Sequence, residues 1–171
     1  MLQKTPKVKR EKTIEEALAS LMRLCARAER SSGDALRLMN NWGIKKEAQN
    51  SILQRLTSER FIDDKRYAEA FVREKMALSA WGRYKIIAAL KRKGICSDII
   101  EEAITAMQPS YNRKRLQERL QSKIRHIKYD TPYQLKTKLI RYALSLGFDM
   151  EDAIESVNEV IKSNNIEECD D

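Results

Sequence analysis

Apolar residues recur at steps of three and four along most of the chain, the period of a helix with one buried face. In the middle, Tyr67, Ala68, Phe71 and Val72 make one such face. Ile86, Ile87 and Leu90 make a second, and Ile99, Ile100, Ala103 and Ile104 a third. Polar and glycine positions punctuate them. Asp63 and Asp64 stand where a helix start leaves N–H groups free. Trp81-Gly82 breaks the first face, Gly94 falls where a left-handed cap favours glycine, and Asp98 opens the third segment.

The flanking stretches read the same way. Thr13 with Glu16 fits a capping box, and Leu18, Leu21, Met22, Cys25 and Ala28 carry a first helix to about Arg30. Ser31-Ser32-Gly33-Asp34 interrupts it, then Ala35, Leu36, Leu38 and Met39 predict a short helix ending near Trp42-Gly43. Ala48, Ile52, Leu53 and Leu56 follow in a third. Beyond Gln108-Pro109-Ser110, a helix from Tyr111 places Leu116, Leu120, Ile124 and Ile127 on one face. Thr131-Pro132 ends it, and Leu135, Leu139, Tyr142 and Leu146 line the next.

Superimposing the glycines reveals a repeat. Gly43-Ile44, Gly94-Ile95 and Gly147-Phe148 are 51 and 53 residues apart. Each is followed by an acid (Glu47, Asp98, Glu151) and by apolar residues at fixed offsets (Leu53, Ile104, Val157; then Leu56, Met107, Val160). Leu36, Ile87 and Ile140 precede the glycines at a common distance. The expected fold is all-α: about nine helices in three tandem three-helix repeats, forming an elongated, curved array. The expected boundaries are a basic flexible arm at 1–12, repeats at 13–60, 61–108 and 109–162, and an acidic tail at 163–171. Few glycines and prolines (5 and 3 in 171 residues) argue against an all-β alternative.

Charge then sharpens the picture. The formal net charge of +8 divides into −7 on residues 151–171 and +15 on the first 150. That asymmetry fits three readings: a solvated basic face, a track for nucleic-acid phosphates, or a match to an acidic protein partner. Cys25, Cys96 and Cys169 are odd in number and widely spaced, suiting a reducing cytoplasm rather than a disulfide framework. No stretch approaches the ~20 apolar residues of a membrane span. A cytoplasmic monomer with no membrane association and no cofactor is expected.

Catalytic chemistry finds no foothold. There is no glycine-rich phosphate loop, and His126 is the single histidine, which argues against a zinc site of common composition. Asp63 and Asp64, with Glu59 nearby, have the composition of a divalent-metal site, but helix capping is the simpler account. The chain reads as a binding protein, not an enzyme.

The basic flanks are more informative. Residues 110–145 hold ten basic residues against two acids. Arg115, Arg119 and Lys123 lie four apart along the flank of one helix, with Lys138 and Arg141 on the next. Lys114 and Arg125 are expected further round towards solvent. In the middle repeat Lys85 and Arg92 share a face, beside Trp81, Gly82 and Arg83, and Lys93 follows. Such spacing along helices suits a phosphate backbone or an acidic protein groove, and equally a solvated face. Trp81 is expected to pack, not to stack on bases.

RFIDDKRYAEAFV, then Trp-Gly-Arg, then LKRKGICSDIIEEAI resemble the central repeat of the RecX family, the bacterial regulators of the RecA recombinase. LCARAERSSGDALRLM is similar to that family's opening helices, and LIRYALSLGFDMEDAI to its closing segment, so the resemblance runs from about residue 14 to 161. Asn40-Asn41-Trp42 and Ser145-Leu146 depart from the family pattern. The resemblance implies three tandem three-helix repeats and binding along the RecA filament. It further implies modulation, mostly inhibition, of recombinase and ATPase activity in DNA repair, recombination and the SOS response. Binding to single- or double-stranded DNA is also implied. No catalytic residue carries over. Arg83, Lys85, Arg92, Lys93, Arg115, Arg119, Lys123, Lys138 and Arg141 are the residues expected to meet filament or DNA. The alternatives are a sequence-nonspecific DNA-binding protein and a helical adaptor without a recombinase partner.

Overall fold

The computed structural model describes residues 11–106 and 109–166. Most of the basic arm, Met107, Gln108, Cys169 and the end of the acidic tail lie outside the described residues. Among the described residues the chain is all-α, with nine helices in three successive groups of three. The first group is α1 (Ile14–Arg27), α2 (Ser32–Asn41) and α3 (Lys46–Ser58). The second is α4 (Asp64–Ser79), α5 (Arg83–Arg92) and α6 (Ser97–Thr105). The third is α7 (Pro109–Ile124), α8 (Pro132–Ser145) and α9 (Met150–Ser163).

The helix starts follow local chemistry. Thr13 and Glu16 close a capping box on α1. The Ser31, Thr131 and Asp149 side chains each accept a backbone N–H at the starts of α2, α8 and α9. Glu47, Asp98 and Glu151, the recurring acids, all fall in first turns, where a negative charge meets the positive helix end. Two boundaries differ from expectation. α1 stops at Arg27, with Ala28 extended, because Ser31 is used as the cap of α2. α7 begins at Pro109 rather than Tyr111, since the first helical position needs no N–H donor.

Two compact units form: Met1–Tyr67 with Arg92–Cys96, and Ala68–Lys91 with Ser97–Asp171. These units and the sequence repeats divide the chain differently. In the first unit α1 and α2 pack on α3 around Leu21, Met39, Ile52, Leu56 and Ile62, with Trp42 and Phe61 at the margin. In the second, α7, α8 and α9 pack on one another around Leu116, Leu120, Leu135, Leu139, Phe148 and Val157. A fully buried leucine or isoleucine is worth ~1.5–3 kcal/mol, so these faces supply most of the stabilisation.

The repeat glycines do more than end helices. Gly43, Gly94 and Gly147 have φ of 75°, 78° and 92°, the left-handed region that a side chain disfavours. The carbonyl just before each accepts a hydrogen bond from an earlier part of the chain. In the first unit Trp42 accepts from the Lys12 N–H at 3.1 Å, and Lys93 from the Ser31 hydroxyl at 2.8 Å. In the second unit Leu146 accepts from the Gly82 N–H at 2.8 Å. The starts of α2 and α5 therefore seat against the glycine turn of the following group. The residues nine before Gly43 and Gly94 join this contact: Asp34 pairs with Lys93 Nζ at 3.1 Å, and Lys85 Nζ donates to the Ser145 carbonyl at 3.0 Å.

Candidate interaction surface

The cations singled out in the sequence lie on α5, α7 and α8, with Lys93 just past α5; Lys85, Lys93 and Arg115 are half-buried, and most of the set is already engaged within the chain. On α7, Leu116 and Leu120 face the core, which turns Arg115, Arg119 and Lys123 outward. The Arg115 guanidinium pairs with Glu118 and donates to the Ala77 carbonyl, while Arg119 donates to the Leu78 carbonyl at 2.6 Å. Both carbonyls belong to the last turn of α4, where the helix has no N–H partners of its own and its dipole favours a positive charge. The two arginines thus cap α4. Lys123 sits over the Tyr142 ring, 5.3 Å from its centre. Lys114 and Arg125 are exposed, as expected.

Arg113 was not anticipated. It bridges Asp152 at 3.0 Å and Glu155 at 2.9 Å across α7 and α9. The hydrogen bond to Asp152 and the nearby Glu155 charge raise its already high pKa. No sequence spacing signals this pair, since the partners are about forty residues apart.

In the second unit Lys85 lies over the Trp81 ring at 4.9 Å, Lys75 lies near the same ring at 5.7 Å, and Phe71 meets it edge-on at 6.2 Å. Trp81 is therefore occupied by packing. Arg83, at the start of α5, pairs with Glu101 at 2.9 Å. In the first unit Lys93 pairs with the buried Asp34, which Arg37 also meets, and Arg92 is exposed. On α8, Lys138 donates to the Lys128 carbonyl at 2.8 Å. Among the described residues, Arg92, Lys114, Arg125 and Arg141 have no hydrogen-bond or ion-pair partner. Of the cations named in the sequence, these four and Lys123, whose ammonium meets only the Tyr142 ring, are free of hydrogen bonds and ion pairs within the chain.

Two further features escaped the sequence reading. Asp63 caps α4 through the Arg66 N–H at 2.9 Å, but Asp64 turns to α2 and accepts from the Ser32 N–H at 2.8 Å and its hydroxyl at 2.5 Å. The acidic pair is divided between two structural tasks. Tyr84 and Tyr133 stand 60% and 76% exposed, each the second residue of the second helix of its group. Their spacing of 49 residues departs from the 53 that separate Gly94 from Gly147, so the repeat gave no signal of them. Among the described residues no group of three or more His, Cys, Asp or Glu is placed to hold a metal ion. No helix among them is long and apolar enough to cross a membrane.

Known proteins share this architecture. Residues 63–104 match the family model for RecX, second three-helix domain. A Regulatory protein RecX of Clostridium botulinum (strain Alaska E43 / Type E3) is 30% identical over 126 residues, covering 72% of this chain and 58% of its relative. One from Mycolicibacterium smegmatis is 24% identical over 155 residues, covering 85% of this chain and 82% of that protein. The match thus spans less than two thirds of the Clostridium relative's length. The crystal structure of RecX from Lactobacillus salivarius superposes with a TM-score of 0.73 at 23% identity, over 86% of this chain and 96% of that one. A second crystal structure of regulatory protein RecX also gives a TM-score of 0.73, at 22% identity, over 88% of this chain and 73% of the other. At that identity the structural likeness speaks for the fold.

Proposed function

This chain belongs to the RecX family, and from that premise we propose that it binds the RecA–DNA filament and lowers its recombinase and ATPase activity. Family membership carries the reading, and the charge distribution supports it. The +15 on the first 150 residues suits a partner rich in phosphate or acidic side chains. We assign the chain no chemistry of its own; it acts in the cytoplasm as a monomer, by occupying a surface. The repeats at 13–60, 61–108 and 109–162 are the units of binding, between a basic arm at 1–12 and an acidic tail at 163–171.

The contact residues are the basic flanks of the second and third repeats. The intrachain bonds of Arg115 and Arg119 make their part structural first, so Arg141, Lys138, Lys123 and Arg92 are the residues to test for contact. Binding of the chain to RecA–DNA filaments and to naked DNA, measured at rising salt, tests this. Counterion release makes phosphate contacts weaken steeply with salt. Preferential binding to the filament supports a recombinase regulator. Equal binding to naked DNA supports the sequence-nonspecific DNA-binding reading instead.

A further inference from the structure

α9 differs from the helices it packs against in the second unit. α7 and α8 are rich in arginine and lysine, whereas α9 carries Glu151, Asp152, Glu155 and Glu159 against Lys162 alone. Its inner face, Ala153, Val157, Val160 and Ile161, belongs to the core. Met150 and Ile154 stand apart from that core, 54% and 38% exposed. They are four residues apart and so stack along one side of the helix. Glu151 and Glu155 each follow by one residue, and an acidic row therefore runs beside the apolar one. Arg113 holds Asp152 and Glu155 but leaves Glu151 exposed, with no hydrogen-bond or ion-pair partner among the described residues. The Tyr84 N–H donates to the Gly147 carbonyl at 3.0 Å, which brings the exposed Tyr84 to the end of α9 where Met150 stands.

Single exposed apolar side chains are ordinary on a protein surface. A methionine and an isoleucine in register along one helix, bordered by carboxylates, have a particular complement. The acidic row repels phosphate, so neither nucleic acid nor an anionic lipid surface suits this side of the chain. Another helix suits it: apolar residues at three- and four-residue spacing pack into such a stripe, and cations along their edge meet Glu151 and Glu155. Methionine favours a contact of this kind because its unbranched thioether adapts to the shape it meets.

We propose that the outer side of α9, built on Met150 and Ile154 and rimmed by Glu151 and Glu155, is a docking site for a cationic amphipathic helix of a partner protein other than the recombinase. The site is opposite in charge to the flanks assigned to the filament and stands independently of that assignment.

The test uses the full chain and a fluorescently labelled helical peptide of about 18 residues, leucine on one face and lysine on the other, read by fluorescence anisotropy. One control peptide has the same composition in scrambled order, and another has glutamate in place of lysine. The lysine peptide should bind at least about tenfold more tightly than either control. Met150→Ser with Ile154→Ser should weaken it about tenfold or more, as the loss of central apolar anchors does. Glu151→Lys should weaken it about two- to fivefold at low salt, and the difference should shrink as salt rises. Thermal unfolding shows whether the serine pair is folded, and the exposed Glu151 supplies a variant that decides the matter where it is not. No binding of the lysine peptide overturns the proposal, as does binding that the folded variants leave unchanged or that the control peptides equal. Self-association of the chain, abolished by the same variants, overturns it by giving the surface to a second copy. Loss of filament inhibition in folded Glu151→Lys overturns it by giving the surface to the recombinase. The expected peptide losses in a chain that never touches the filament sustain the site and defeat only the regulatory reading.

Discussion

Gly82 and Gly147 meet backbone to backbone in the second unit. A β-carbon on Gly82 would lie 2.3 Å from the Gly147 carbonyl oxygen, and the Gly82 N–H holds the neighbouring Leu146 carbonyl at 2.8 Å. The start of α5 seats on the turn before α9 only because no side chain intervenes. Gly33 repeats the relationship in the first unit, where an added β-carbon would lie 2.2 Å from the Lys93 carbonyl oxygen.

Gly82→Ala should therefore destabilise the chain by roughly 1–3 kcal/mol or more, as backbone contacts this close must open. Gly33→Ala should do the same. Urea unfolding monitored by circular dichroism checks both, the midpoint falling without a change of slope.

The glycine repeat was legible because left-handed caps force one residue type at a fixed place in each group. The apolar faces were legible for the same reason: a buried helix face leaves a periodic record. What joins the groups left none. Asp64 looked like a second capping acid, and nothing local marks its bond to Ser32. Arg115 and Arg119 looked like surface charge open to a ligand and Arg113 drew no notice, since their carbonyl and carboxylate partners are about forty residues away in sequence. Periodicity reports which face a residue occupies, not what stands opposite it.

Arg115 and Arg119 supply the next prediction. Replacing each with Glu sets a negative charge against the carbonyl end of α4, costing about 1–3 kcal/mol for the pair. Arg141→Glu, at an exposed position with no partner among the described residues, should stay within ~0.5 kcal/mol. Denaturant midpoints of the variants separate the two cases, and any filament-binding defect is attributable to contact only for Arg141.

Lys12 holds the Trp42 turn in two ways. Its N–H donates to the Trp42 carbonyl at 3.1 Å, and its ammonium lies 3.7 Å from the centre of the Trp42 ring. Lys12→Ala removes the second and should cost ~0.5–1 kcal/mol. Lys12→Pro also removes the first and should cost about 1 kcal/mol more. Trp42 emission in a Trp81→Phe background should report the loss of the ammonium in both.

Cys25 and Cys96 should differ in reactivity. Burial pushes the Cys25 thiol above its ordinary pKa, only partly offset by Arg30, whereas Cys96 is exposed. A raised folded-state pKa favours the protonated thiol, so its stabilising contribution is complete at neutral pH and fades as pH climbs through the alkaline range. At neutral pH a maleimide should label Cys96 before Cys25, read by mass spectrometry of the digested chain, with Cys25 catching up as pH rises.

The regulatory reading is tested most directly by RecA-catalysed ATP hydrolysis and strand exchange on single-stranded DNA, measured as this chain is titrated in. The account predicts that both rates fall in a saturable way, and that the fall is weaker for chains carrying Arg141→Glu and Lys138→Glu. Rates that stay unchanged at concentrations saturating naked-DNA binding would contradict it.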